Sequence, residues 1–213
     1  MLSVVIPALN AAASLQATLA SVAGADEVVV VDGGSTDGTP SLAGRFGARV
    51  LAAPRGRGTQ LAAGIAEARG DWLLLLHADT RLEPGWHQAR PPPDSAGYFR
   101  FALDSEDPRA RRLERMVAWR CRVLALPYGD QGLLIHRDLL RAVGGIRPLP
   151  LMEDVDLIRR LGRRRLVALD VAAVTSAVKW QQQGWRRRSL RNLGCLALYF
   201  AGVSPARIAR LYG

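Results

Sequence analysis

Cysteine is scarce. Cys121 and Cys195 are the only two in 213 residues, and they stand alone with no CxxC spacing. That excludes a disulfide framework and a cysteine-based zinc site. Long apolar runs are missing as well. The longest, Cys195 to Val203, has nine residues, whereas a helix that spans a bilayer needs about 20. No basic region precedes the run Met1-Leu2-Ser3-Val4-Val5-Ile6-Pro7 and no cleavage pattern follows it, so it reads as a strand and not as a signal peptide. The GxGxxG fingerprint of dinucleotide sites is absent, and the first strand–helix junction, Pro7 to Ala12, has no glycine at all. These absences point to a reduced compartment, and the expected location is cytoplasmic.

Lysine is nearly absent too, Lys179 being the single one beside 28 arginines. The net charge is +10, and it is unevenly spread. Residues 1–106 carry 8 Arg against 11 acids, net −3, while residues 107–213 carry 20 Arg and Lys179 against 8 acids, net +13. A GC-rich genome accounts for arginine over lysine but not for the asymmetry. The second half therefore invites an anionic partner: a phosphate-bearing ligand, an anionic membrane surface or nucleic acid.

What is present is a regular alternation. Leu2–Ile6, Glu27–Val31, Arg49–Ala52 and Trp72–Leu76 read as short apolar strands. Helices are predicted over about 11–22, capped by Asn10, about 38–46 and about 59–68. Continuously apolar strands alternating with helices imply an α/β domain with a mostly parallel sheet covered on both faces. Ligands in such sheets bind beyond the carboxyl ends of the strands, which puts Pro7, Asp32, residues 53–58 and residues 77–80 along one rim. Later, residues 98–103 read as an edge or mixed strand and residues 108–123 as an Arg-rich helix. Strands follow at 131–136, 165–168 and 172–175, with a helix at 153–161 and basic amphipathic helices over the last thirty residues. The division expected is 1–180 as one domain, with a nucleotide-binding half at 1–90 and an acceptor half at 95–180, then a C-terminal helical extension at 181–213.

Four segments carry chemistry. Asp32-Gly33-Gly34-Ser35-Thr36-Asp37-Gly38 follows a strand, where a carboxylate can meet a nucleobase or ribose and Ser35 or Thr36 can cap the next helix. Arg55-Gly56-Arg57-Gly58 offers fork-shaped donors to phosphate. Asp79, two residues past a leucine run, can share Mg2+ or Mn2+ with diphosphate oxygens and water, with His77 beside it. Glu153-Asp154-Val155-Asp156 puts three carboxylates in four residues at a helix start, where one can take a proton from a hydroxyl. Each has a plainer use, as a turn, a solvated basic loop, an Asx turn or a helix-dipole partner.

Taken in order, Val4-Val5-Ile6-Pro7-Ala8-Leu9-Asn10, Val30-Val31-Asp32-Gly33-Gly34-Ser35-Thr36-Asp37-Gly38-Thr39, His77-Ala78-Asp79-Thr80 and Glu153-Asp154 resemble the family 2 glycosyltransferases. Tyr128-Gly129-Asp130-Gln131-Gly132 and the chain's ending look like a small bacterial subgroup associated with arsenosugar biosynthesis. The resemblance implies a GT-A fold, Rossmann-like, a nucleotide-diphospho-sugar donor, a divalent metal (Mn2+ or Mg2+) and transfer of one sugar with inversion. Carried over by position, Pro7, Asp32, Arg57 and Asp79 bind the nucleotide. Asp79 holds the metal, with His77 standing where relatives carry a further acid. Asp154 is the catalytic base with Glu153 beside it, Asp130 and Gln131 face sugar or acceptor, and Lys179 or Arg186–Arg188 reach the diphosphate. The acceptor is a small molecule or lipid-linked.

Two other classes compete. A nucleotidyltransferase would share such a sheet and metal, but its glycine-rich N-terminal signature is missing. A basic membrane-surface or nucleic-acid-binding protein would use Trp180, Trp185, Tyr199 and Phe200 interleaved with Arg186-Arg187-Arg188 and Arg191. Of these partners, nucleic acid is not expected, and peripheral membrane contact is compatible with the enzyme reading.

Overall fold

Val4, Val5 and Ile6 alternate in the direction their side chains point, yet all three are fully buried, so both faces of their strand must be covered. The computed structural model describes residues 1–212. In it this strand, β1 (Leu2–Ala8), lies inside a sheet with β2 (Glu27–Asp32), β3 (Arg49–Ala52) and β4 (Trp72–Leu75), all parallel. Val4 and Ile6 pack with Leu15, Leu19 and Trp86 on one side, while Val5 joins Leu61, Leu157 and Ile158 on the other. Each such buried side chain contributes about 1.5–3 kcal/mol.

The connecting helices are α1 (Ala12–Ser21), α2 (Thr39–Arg45) and α3 (Arg57–Glu67). α3 lies so close to the sheet that a β-carbon on Gly64 would stand 2.7 Å from Val31 Cγ2. The expected side-chain caps are not used. Asn10 has φ +48 and its Oδ1 accepts the Thr36 N–H, while Ser35 Oγ accepts the Asn10 N–H. These residues stitch the loops after β1 and β2 together instead of starting helices.

Beyond β4 the sheet becomes mixed. It adds β5 (Thr80–Leu82), β6 (Ala96–Leu103), β7 (Leu133–His136) and β8 (Leu166–Thr175), in the order β3-β2-β1-β4-β7-β6-β8-β5. β7 is antiparallel to both β4 and β6, β8 is parallel to β6, and β5 is antiparallel to β8. Residues 98–103, expected as an edge or mixed strand, are the mixed kind: β6 is interior, antiparallel to one neighbour and parallel to the other. The two short strands expected at 165–168 and 172–175 are one strand, whose pairing register slips between Phe99 and Arg100 opposite Asp170 and Val171. Gln131, expected in a strand, sits in the 3-10 turn Gly129–Gln131 just before β7.

The sheet cannot be flat. From Leu75 to Thr80 the chain takes five steps, at most about 18 Å, and a turn in which Thr80 N donates to His77 O shortens it further. Four strand spacings in a flat sheet amount to about 19 Å. The sheet therefore curls, bringing β5 back toward β4 over the ends of β7, β6 and β8.

The second half carries α4 (Pro108–Leu124), α5 (Arg137–Ala142), α6 (Glu153–Leu161), α7 (Val178–Gln183), α8 (Trp185–Phe200) and α9 (Pro205–Tyr212). Asp107 caps α4 by accepting the Arg109 N–H, with Pro108 in the first turn. Among the described residues no helix is long and apolar enough to cross a membrane.

Candidate active site

β4, β6 and β8 end on the same rim at which β7 and β5 begin. That direction gathers His77 and Asp79 after β4, Asp130 before β7, and Lys179 just beyond β8. α3 and α6 start at this rim as well, adding Arg57, Glu153 and Asp154. The loop after β4 is pinned on both sides: Leu76 N donates to Val5 O, Thr18 Oγ1 donates to Ala78 O, and Ser176 N donates to Asp79 O.

His77 is the hub. Arg57 Nη1 lies 3.4 Å from His77 Nε2. A guanidinium can only donate, so Nε2 accepts and the ring proton sits on Nδ1. Nδ1 in turn lies 3.6 Å from Asp130 Oδ1. Burial, then the charge of Arg57, push His77 down to about 3, so the ring is neutral. Both ring nitrogens are thus engaged, and His77 has no free lone pair for a metal in this arrangement. Asp79 is the better ligand. Burial alone would raise its carboxyl, but Lys179, His77 and Arg57 outweigh it and hold it below the usual range. Lys179 Nζ stands 2.8 Å from Asp79 Oδ2.

Negative charge is in excess here. Asp130 is pushed up to about 6 by burial and by Asp79, and Glu153 to about 7 by burial and by Asp154. Glu153 is only 1% exposed, neither carboxyl oxygen makes a hydrogen bond, and its nearest cation is Arg57 Nε at 3.5 Å. Four carboxyl groups face Arg57, Lys179 and a neutral histidine. A divalent cation would fit that balance, and Asp79 is the carboxylate that could hold it. No ready-made group of three or more His, Cys, Asp or Glu ligands exists among the described residues.

Two cavities meet at Arg57, His77, Asp79 and Lys179. One, about 660 Å³, runs past Pro7, Ala8, Asn10, Arg55 and Gln60. The other, about 120 Å³, is bounded by Tyr128, Asp130, Asp154, Trp180 and Asn192. Asp154 Oδ1 accepts the Val155 N–H at 2.7 Å, fixing the carboxyl at the start of α6. Gly129 backs it: with φ +56, a β-carbon there would stand 2.8 Å from Asp154 Oδ2 and 3.2 Å from His77 Cε1. A glycine is needed on both counts.

The other expected residues divide. Pro7 lines the larger cavity. Asp32 lies beneath it and does not line it. Its Oδ2 accepts the N–H groups of Gly34 and Ser35, while its buried Oδ1 has no partner. Gln131 lines the neighbouring cleft, but its polar atoms are bonded within the protein: its amide nitrogen donates to Phe99 O, and its oxygen accepts from Arg120 and Cys121. Asp156 is taken up by Arg147 and Arg160, which leaves Glu153 and Asp154 for chemistry. Of Arg186–Arg188, only Arg188 lines the cavity, stacked over Trp180 at 4.6 Å. Sequence reasoning missed Gln60, whose amide donates to the carbonyls of Ala8 and Val31 under the larger cavity. It also missed Tyr128, covered by Arg120 at 3.8 Å.

Residues 3–90 match the family model described as Glycosyl transferase family 2. An uncharacterized glycosyltransferase of Mycobacterium tuberculosis is 38% identical over 84 residues, covering 39% of this chain and 38% of that protein. The PGL/p-HBAD biosynthesis glycosyltransferase of Mycobacterium bovis is 42% identical over 93 residues, covering 38% of this chain and 36% of the other. The matched stretch thus spans under two fifths of those relatives. Among solved structures, glucosyl-3-phosphoglycerate synthase from Mycobacterium tuberculosis, in complex with Mn2+, UDP and glucosyl-3-phosphoglycerate, superposes with a TM-score of 0.61. Its identity is 22%, with 81% of this chain and 70% of that one covered. Staphylococcus aureus TarS gives a TM-score of 0.58 at 16% identity, covering 83% and 37% of the two chains. The fold is that of the GT-A glycosyltransferases, and the match to the family 2 glycosyltransferase model falls on residues 3–90.

Proposed function

We propose that this protein transfers one sugar, with inversion, from a nucleotide-diphospho-sugar to an acceptor hydroxyl, assisted by Mn2+ or Mg2+. The observation that carries the reading is the junction of two cavities at Asp79, where Arg57 and Lys179 line both spaces and the Asp154 carboxyl bounds the smaller one. The names of the relatives and the Mn2+ and UDP bound to the solved neighbour support it.

In this reading the nucleoside lies along Pro7 and above Asp32. Asp32 acts from below, its Oδ2 accepting the N–H groups of Gly34 and Ser35 and so shaping the loop after β2. Arg57 and Lys179 hold the diphosphate, and Asp79 holds the metal, which supplies Lewis-acid neutralisation of the leaving group. Asp154 accepts the acceptor's proton while the acceptor oxygen bonds to the anomeric carbon. The bond from that carbon to the donor phosphate oxygen breaks, and its electron pair leaves with the nucleoside diphosphate. Glu153 and His77 keep Arg57 in place, and Asp130 orients the ring of His77 from the other side.

The test is Asp154→Asn. Nucleoside diphosphate release should fall by about a thousandfold or more, the scale of a lost general base together with its orientation. The thermal shift caused by UDP with Mn2+ should persist. Near-normal turnover by the variant would remove Asp154 from the role, and release of pyrophosphate in place of nucleoside diphosphate would replace glycosyl transfer with nucleotidyl transfer.

A further inference from the structure

The most apolar exposed surface of the molecule lies beside the acceptor cavity. On α4, Met116, Trp119, Val123 and Leu124 are 55%, 53%, 43% and 54% exposed. On α8, Leu190, Leu193 and Phe200 are 69%, 47% and 52% exposed. Met116, Trp119 and Val123 follow at three and four, and Leu190, Leu193 and Phe200 at three and seven, which puts each set on one stripe of its helix. Between the helices runs a cleft of about 450 Å³, walled by Leu113, Met116, Val117, Trp119, Leu193 and Leu196, with Phe101 among its lining residues. That volume falls within the usual range of about 300–1,000 Å³ for ligand sites.

Two features say what occupies it. First, the cleft does not end blindly: Tyr128, Asp130, Trp180, Asn192 and Leu196 line both it and the cavity that holds Asp154. Where the two spaces join, the lining is polar: Asp130, Asn192 and Trp180, whose buried indole N–H has no acceptor, stand there. Second, the apolar walls are edged with positive charge. Arg112 and Arg115 line the cleft, and neither makes an ion pair among the described residues. An apolar cleft with a polar inner end and a cationic outer rim matches an amphiphile held in an anionic leaflet.

We propose that this cleft takes the hydrocarbon chain of an amphiphilic acceptor drawn from an anionic lipid surface, on which the α4–α8 face lies. The chain lies along Leu113, Val117 and Leu193, its hydroxyl reaches Asp154, and the arginines meet lipid phosphates. This rests on the glycosyl-transfer reading for the use of the hydroxyl, but not for the binding.

The test is vesicle flotation of the full chain with phosphatidylcholine vesicles, with and without about a third phosphatidylglycerol. Binding is expected only with the anionic lipid, and vesicles with brominated chains should quench tryptophan fluorescence. Leu193→Asp, at an exposed site, should weaken binding by about tenfold or more. Trp119→Phe should remove much of the quenching while flotation persists. Binding insensitive to Leu193→Asp would overturn the proposal, and so would a dimer in sedimentation that this substitution dissolves, since a second copy would then cover the face. The thermal shift with UDP and Mn2+ is measured on the same samples. Its absence would count against glycosyl transfer alone, and its survival in Leu193→Asp shows that the two sites fail separately.

Discussion

Lys179 Nζ lies 2.8 Å from Asp79 Oδ2, joining two residues exactly one hundred positions apart across the β5–β8 edge. The contact exists because Thr80 pairs with Thr175, which sets the start of β5, and with it Asp79, beside the end of β8. A charge-assisted pair at this point holds the carboxylate ionised and keeps a cation next to where a diphosphate would lie.

Lys179→Ala removes that cation. The affinity for UDP with Mn2+ should fall by about 10- to 100-fold, the scale of one hydrogen bond to a charged group. Titration calorimetry would show it. Unchanged affinity would mean that Lys179 only neutralises Asp79.

Asp79→Asn should abolish the part of the UDP affinity that depends on Mn2+, whereas His77→Ala should leave that part largely intact. The reason is that Arg57 already occupies the Nε2 lone pair and the Nδ1 proton faces Asp130. If His77→Ala instead erased the metal dependence, the ring must turn to bind the ion.

Gly129→Ala should damage both function and stability. It puts a β-carbon 2.8 Å from Asp154 Oδ2 and asks alanine to hold φ +56. The left-handed conformation alone costs about 1–2 kcal/mol. Denaturant melts should show that loss or more, and transfer should drop further than folding does because Asp154 is displaced. Wild-type transfer rates in a folded variant would contradict the close approach.

Stability should depend on pH through Glu153. Its folded carboxyl is raised from the usual 4.5 to about 7, chiefly by burial. The native state therefore holds the proton that the unfolded chain releases, so this group's contribution falls as pH rises from about 4.5 through about 7. Urea melts at either end of that window should show the decline, and Glu153→Gln, which cannot ionise, should flatten it. Equal slopes in the two proteins would argue that Arg57 keeps Glu153 charged throughout.

In the first half, β1, β2 and β4 were legible because each is buried on both faces and so reads as an apolar run ending in polar residues. Val28–Val31 before Asp32 and Leu73–Leu76 before His77 are of this kind. The acceptor side was less legible because strand neighbours are chosen by residues far apart in sequence. Nothing local in Tyr98–Leu103 tells that β7 and β8 will flank it, and Asp170 interrupts a strand that the opposing chain keeps whole. The active-site carboxylates at 153 and 154 stand out as a cluster in a positive half. Gln131 and Asn10 mislead for one reason: a polar side chain beside a motif can be spent on neighbouring backbone, and only tertiary contacts reveal which.

The curl of the sheet has a mechanical consequence. The segment carrying His77 and Asp79 is a taut tie between two distant strands, so flattening the sheet would tear it from its hydrogen bonds to Val5, Thr18 and Ser176. The rim is therefore anchored where it carries His77 and Asp79, and a ligand arriving there would meet side chains that the fold already holds in place.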